Sequence, residues 1–186
     1  MRHLIFAAAM TFASFASAAT AEIGKPAPGF SLQGVDGKTY TLEQFKGKTV
    51  VLEWFNNDCP YVKKHYDSGN MQKLQAEATS KGTIWLTINS SAAGKQGHFD
   101  AAGGAQLSKD RKMANTAVLL DPKGTTGKSY AAKVTPHMYV INDQGTLVYA
   151  GAIDSNSSSD PKTIAGATNY VTEALNAIAQ KKAIAT

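Results

Sequence analysis

The six residues Val50-Val51-Leu52-Glu53-Trp54-Phe55 are bulky, almost wholly apolar and show no alternation. That is the pattern of a strand buried on both faces. Such a strand needs sheet neighbours on either side and helices above and below, so this run points to a layered α/β domain. Cys59 follows shortly after, and next comes Pro60, a residue suited to the first position of a helix. Cys59 is the only cysteine in the chain. A thiol between a buried strand and a helix start faces free backbone N–H groups and the positive end of a helix dipole. That setting lowers a thiol pKa and favours the thiolate, the form that does chemistry.

The N-terminus bounds where such a thiol would work. Arg2 and His3 form a short basic region, Leu4 to Phe15 an apolar stretch, and Ala16-Ser17-Ala18 a small-residue cleavage site, with Ala19-Thr20-Ala21 as a second. The apolar stretch is too short to span a bilayer, so residues 1–21 read as a cleaved export signal, and the mature protein is expected in the periplasm or outside the cell. Roughly 165 residues then remain, enough for one domain with a real core, spanning 22–186. The formal net charge of +5 comes from scattered lysines without aromatic interleaving, which argues against nucleic-acid binding. An exported chain with one cysteine holds no internal disulfide, so its thiol is an inert buried group, a reactive group, or a site of intermolecular pairing.

The order of elements is legible from punctuation and periodicity. Two short strands, Phe30–Leu32 and Lys38–Leu42, surround an Asp36-Gly37 turn, and a single helical turn ends at Gly47. After Cys59 a helix is broken near Asp67-Ser68-Gly69-Asn70, and Met71, Leu74 and Ala78 then line one helical face. Thr83–Asn89 reads as a second buried strand, 90–104 as a surface loop, 105–114 as a helix with a solvated charged end, and Ala117–Leu120 as a strand. A short helix is expected over 126–133, then a hairpin of Met138–Ile141 and Leu147–Ala150, then a last helix starting at Asp160-Pro161 with Ile164, Val171, Leu175 and Ile178 on one face. Strands alternating with helices predict a mainly parallel sheet with an antiparallel edge, covered on both faces. Chemistry in such sheets is expected at the carboxyl ends of the strands, where Cys59 sits.

Four segments carry a resemblance to a known family: Gly24 to Leu32, Val35-Asp36-Gly37-Lys38 with Lys46-Gly47-Lys48, Trp54 to Lys63 around the cysteine, and Val134-Thr135-Pro136 before the Met138–Ile141 strand. Together they resemble the thioredoxin superfamily, in particular its redoxin branch of exported thioredoxin-like and peroxiredoxin-like proteins. The resemblance implies a thioredoxin-like fold preceded by a β-hairpin, with Thr135-Pro136 as a cis-proline loop beside Cys59. It also implies a buried carboxylate six residues before the cysteine, the place of Glu53; a buried carboxyl near a thiol has its pKa raised and can relay protons. The alternative for Glu53 is a sheet edge facing solvent or a lysine. Two departures matter. Val62 stands where dithiol members have a second cysteine, and Leu52 and Asn56 stand where the peroxiredoxin pattern has proline and a hydroxyl residue. Arg111 is the only arginine after the export segment.

The expected activity is therefore thiol oxidoreduction through one cysteine, Cys59, with Glu53 moving protons. Thr135 and Pro136 would hold an extended partner, Pro60 would fix the helix start, and His137 would sit near the thiol as a proton donor or remain structural. The resolving thiol has to come from glutathione, another small thiol or a partner protein. Cys59, His137 and Met138 suit a soft metal in kind, but no paired spacing supports one, so neither metal nor cofactor is expected. Two other readings stay open: a binding module that has lost catalysis and holds a peptide or metal, and a one-cysteine peroxidase. His65, a turn and a half beyond Cys59, reads as structural.

Overall fold

The computed structural model describes residues 20–184; the expected export segment, apart from its last two residues, lies outside them. In chain order the elements are β1 (Ser31–Gly34), β2 (Thr39–Thr41), β3 (Val50–Trp54), α1 (Pro60–Asp67), α2 (Asn70–Ser80), β4 (Ile84–Asn89) and α3 (Ala101–Asp110). There follow β5 (Ala117–Leu120), α4 (Thr125–Ser129), β6 (His137–Ile141), β7 (Leu147–Gly151) and α5 (Tyr170–Ala179).

The sheet runs β2-β1-β5-β4-β3-β6-β7. Its middle is parallel, β3 with β4 and β4 with β5. Antiparallel hairpins flank this middle on both sides, β1/β2 beside β5 and β6/β7 beside β3. The N-terminal hairpin is thus part of the main sheet. β3 lies between β4 and β6, which is why its sequence is apolar at nearly every position and all five of its residues are buried.

Alternation along β3 divides the core in two. Val51 turns to the face covered by α1, α2 and α5, where Phe55, Val62, Tyr66, Met71, Leu74, Trp85, Val171 and Ala174 are buried together. Val50, Leu52 and Trp54 turn to the other face, against Tyr130, Tyr139, Leu119 and Ile141. The N-terminal segment helps to close this second face: Ala21 N–H donates to Ser129 O (2.8 Å), and Ala27 N–H to Gly145 O (2.9 Å).

Three boundaries differ from the sequence reading. α3 starts at Ala101, because the Asp100 carboxylate caps it by accepting from Gly103 N–H at 2.8 Å. The Gly103-Gly104 pair hid this start, and Gly104 is required there because a Cβ would press 2.7 Å from the Phe99 ring and Val35. Asp160-Pro161 opens only a 3-10 segment, Pro161–Gly166, while α5 is capped by Asn169, whose Oδ1 accepts from Thr172 N–H at 2.9 Å. The helix read over 126–133 stops at Ser129, and the chain leaves it through Ala131, held at φ 51°.

Candidate functional site around Cys59

Strand β3 delivers the chain to the carboxyl edge of the sheet, and the loop 55–58 turns it into α1. Cys59 is the N-cap of that helix and Pro60 its first residue. The half-buried thiol does not cap the helix amides. Sγ instead lies 2.9 Å from the carbonyl oxygen of Thr135, to which it donates. The Thr135–Pro136 peptide bond is cis. Cys59, Pro60, Thr135 and Pro136, distant in sequence, are therefore brought together. Tyr61 and Val134, next to them on the two segments, are among the few large apolar side chains left exposed, at 45% and 61%.

Glu53 is fully buried. Its carboxylate accepts from Tyr66 Oη (2.8 Å), Trp85 Nε1 (2.9 Å), Thr87 Oγ1 (3.1 Å) and Gln75 Nε2 (3.2 Å). Burial raises its pKa, and these four donors oppose the rise. The solvent-edge alternative is excluded. The donors come from α1, α2 and β4, so Glu53 pins two helices to the sheet; among the described residues it shares no hydrogen bond with Cys59. Because its folded pKa is raised, Glu53 stabilises the fold at low pH, and that contribution is lost as pH rises through the raised value. The stability gap between wild type and Glu53→Gln, followed by urea unfolding from pH 4 to 9, should move in favour of Gln as pH rises. A gap that stays constant would remove this account.

His137 opens β6 opposite Trp54. Its ring packs on Tyr139 at 4.6 Å between centroids, and Nδ1 lies 3.0 Å from Tyr139 Oη. Tyr139 belongs to the second core face, whereas Cys59 packs against the first. The structure thus turns His137 away from the thiol, and burial, with Lys133 adding, lowers its pKa. His65 is buried too. Its Nδ1 meets Asn70 Nδ2 at 2.8 Å and its Nε2 faces Asp154 at 3.7 Å. Burial pulls its pKa down to about 4 against the opposing Asp154 charge, so it is neutral near pH 7.

Lys64 and Arg111 carry more than their sequence context suggested. The Lys64 ammonium, with its side chain 1% exposed, bonds Asp154 Oδ1 (3.3 Å) and Asn156 O (3.1 Å). Its charge is engaged by these two acceptors, whereas Lys63, one position earlier and exposed, pairs with no carboxylate among the described residues. Arg111, read as part of a solvated face, is a clamp: Nε donates to Asn57 Oδ1 at 2.9 Å, and Nη1 pairs with Asp67. It ties the loop before Cys59 to the far end of α1. The 90–100 loop also bears on the site, since Gly97 N–H donates to Asp58 Oδ2 (3.1 Å) and Asn56 Nδ2 reaches Gln96 O (3.4 Å). Gly97, at φ 74°, has no room for a Cβ beside the Asn56 amide. No local sequence signal marks these pairings, because each partner lies tens of residues away.

A family model described as the AhpC/TSA family matches residues 23–150. The thiol-disulfide oxidoreductase ResA of Halalkalibacterium halodurans is 24% identical over 134 residues, 72% of this chain and 70% of that protein. An uncharacterized conserved protein from Geobacillus kaustophilus superposes with a TM-score of 0.74 at 24% identity, covering 88% of this chain and 85% of that one. The exposed lipoprotein thioredoxin Etrx1 of Streptococcus pneumoniae superposes with a TM-score of 0.54 at 27% identity, covering 72% and 94%. The fold is thioredoxin-like.

Proposed function

Since the chain belongs to the AhpC/TSA family, in the redoxin branch of the thioredoxin superfamily, we propose that it is an exported thiol oxidoreductase working through Cys59 alone. The observation that carries this reading is the position of Sγ at the start of α1, 2.9 Å from the carbonyl before a cis-proline. The S–H···O bond exists only while the sulfur holds its proton. Once ionised, the sulfur leaves that carbonyl and attacks one sulfur of an incoming disulfide. A Cys59–partner disulfide forms, and the other half departs as a thiolate that takes a proton from water. With no second cysteine in the chain, an external thiolate must attack the mixed disulfide and release Cys59. Thr135 and Pro136 hold the partner as an added strand, and Pro60 fixes the helix start behind the sulfur. Glu53 acts by holding α1 and α2 in place, and His137 braces the loop end through Tyr139.

Peroxide reduction is favoured less. Asn56, which stands in the hydroxyl position, has its Oδ1 committed to Asp58 N–H at 2.9 Å, and Arg111 is committed to Asn57 and Asp67. With its Nε and Nη1 so engaged, Arg111 is not available to orient a peroxide. The test is covalent capture. Incubation with a cystine-bridged peptide should give, by mass spectrometry, one peptide half on Cys59, released again by added small thiol. A Cys59 that takes no adduct, or never gives it up, would make the protein a binding module instead.

A further inference from the structure

Thr135, whose carbonyl accepts the hydrogen bond of the Cys59 thiol, is also one wall of a cleft of about 270 Å³. Trp54 and Phe55, both buried, contribute to its lining. Asn56, Ser90, Ser91, Lys133 and Thr135 supply its polar lining. Resting on the thiol-exchange reading above, we propose that this cleft receives the carboxylate of a small anionic disulfide whose sulfur Cys59 attacks, or of the matching thiolate that attacks a Cys59 mixed disulfide.

Three features select that ligand class. The first is size: the cleft falls just below the about 300–1,000 Å³ of ordinary ligand pockets, so it suits an amino-acid-sized group better than a folded partner. The second is charge. Lys133 is exposed, and among the described residues it pairs with no carboxylate. Two acidic groups bonded to residues around the cleft are engaged with donors of their own: Asp121 accepts from Ser90 Oγ (2.7 Å), Gly127 N–H (2.9 Å) and Thr126 N–H (3.3 Å), and Asp58 accepts from Gly97 N–H (3.1 Å). The third is need. A chain whose only thiol is Cys59 depends on an outside sulfur, and a cleft sharing a wall with that thiol is where such a molecule can be held during exchange.

The chemistry balances without a further reagent. The Cys59 thiolate attacks one sulfur of a symmetrical disulfide carrying carboxylates; the Cys59–sulfur bond forms as the original S–S bond breaks, and one thiolate leaves.

The test compares three probes with the same two-methylene spacer: 3,3′-dithiodipropionate (anionic), 2-hydroxyethyl disulfide (neutral) and cystamine (cationic). Stopped-flow or quenched-flow rates of adduct formation on Cys59 are taken relative to those of free 2-mercaptoethanol with the same probes. The wild-type protein should favour the anionic over the neutral probe by roughly two- to fivefold, the scale of one exposed ion pair, and the preference should fade with added salt. Lys133→Glu should abolish or invert the ratio. Lys81→Glu makes the same charge change next to the start of β4, at the opposite end of the sheet, and should leave the ratio alone. A ratio equal to that of 2-mercaptoethanol, or one insensitive to Lys133→Glu, overturns the cleft assignment while leaving thiol exchange intact. No adduct with any of the three probes overturns both.

Discussion

Cys59→Ser should reduce disulfide exchange to the uncatalysed background while leaving the fold nearly as stable as before. The two halves of this result depend on different properties of one atom. Exchange needs a sulfur that can form and break an S–S bond, and the chain has no other. Stability needs only a small side chain that donates to Thr135 O, now served by Sγ at 2.9 Å. A serine hydroxyl fills that role at its own shorter bond length. Thermal or urea unfolding of the variant should therefore lie within about 1 kcal/mol of wild type, the scale of one net hydrogen bond. An exchange assay with an insulin-like or peptide disulfide supplies the other half. Retained turnover in Cys59→Ser would remove the sulfur from the mechanism. A large drop in stability would mean instead that Cys59 is chiefly a packing residue, as its place against the first core face allows.

How much of this was legible from residues alone depends on how local each signal is. The buried strand Val50–Trp54, the Cys59-Pro60 helix start and the hairpin around Asn142–Gly145 were readable because their causes lie within a few neighbouring residues. The cis-proline loop beside the thiol came from resemblance, and Cys59 and Thr135 are 76 positions apart. Burial of Glu53 was readable from its apolar neighbours. Its four donors were not, since they come from three separate elements that only the fold assembles. The misplaced last helix has a similar origin. Asp160-Pro161 is a sound local start signal, and it does open a helical turn, but the bridge between Asp154 and Asn169 brings the chain back toward the sheet before α5 begins. Arg111 was misread for the opposite reason: a run of charges looks solvated until one of them finds an acceptor on a distant loop.

That same bridge region holds the second large expected effect. Asp154→Ala should destabilise the protein by about 3–5 kcal/mol, the usual penalty for stripping one partner from a buried ion pair. Lys64 and Asp154 have side chains only 1% and 6% exposed and meet at 3.1 Å, so the ammonium left behind would keep just the Asn156 carbonyl as an acceptor. His65, already neutral, loses the carboxylate its Nε2 faces at 3.7 Å. All three groups hang on α1 or on the segment that packs against it, and α1 is the helix whose first turn presents Cys59. The loss should thus reach the site: Cys59 adduct formation should slow in Asp154→Ala under conditions where unfolding is still incomplete. Replacing both partners, Lys64→Met with Asp154→Leu, should return most of the stability, because an apolar pair leaves no buried charge uncompensated. Urea unfolding of wild type, single and double variants completes the cycle. A double variant as unstable as the single would show that packing around α1 carries the energy, with the ion pair incidental to it.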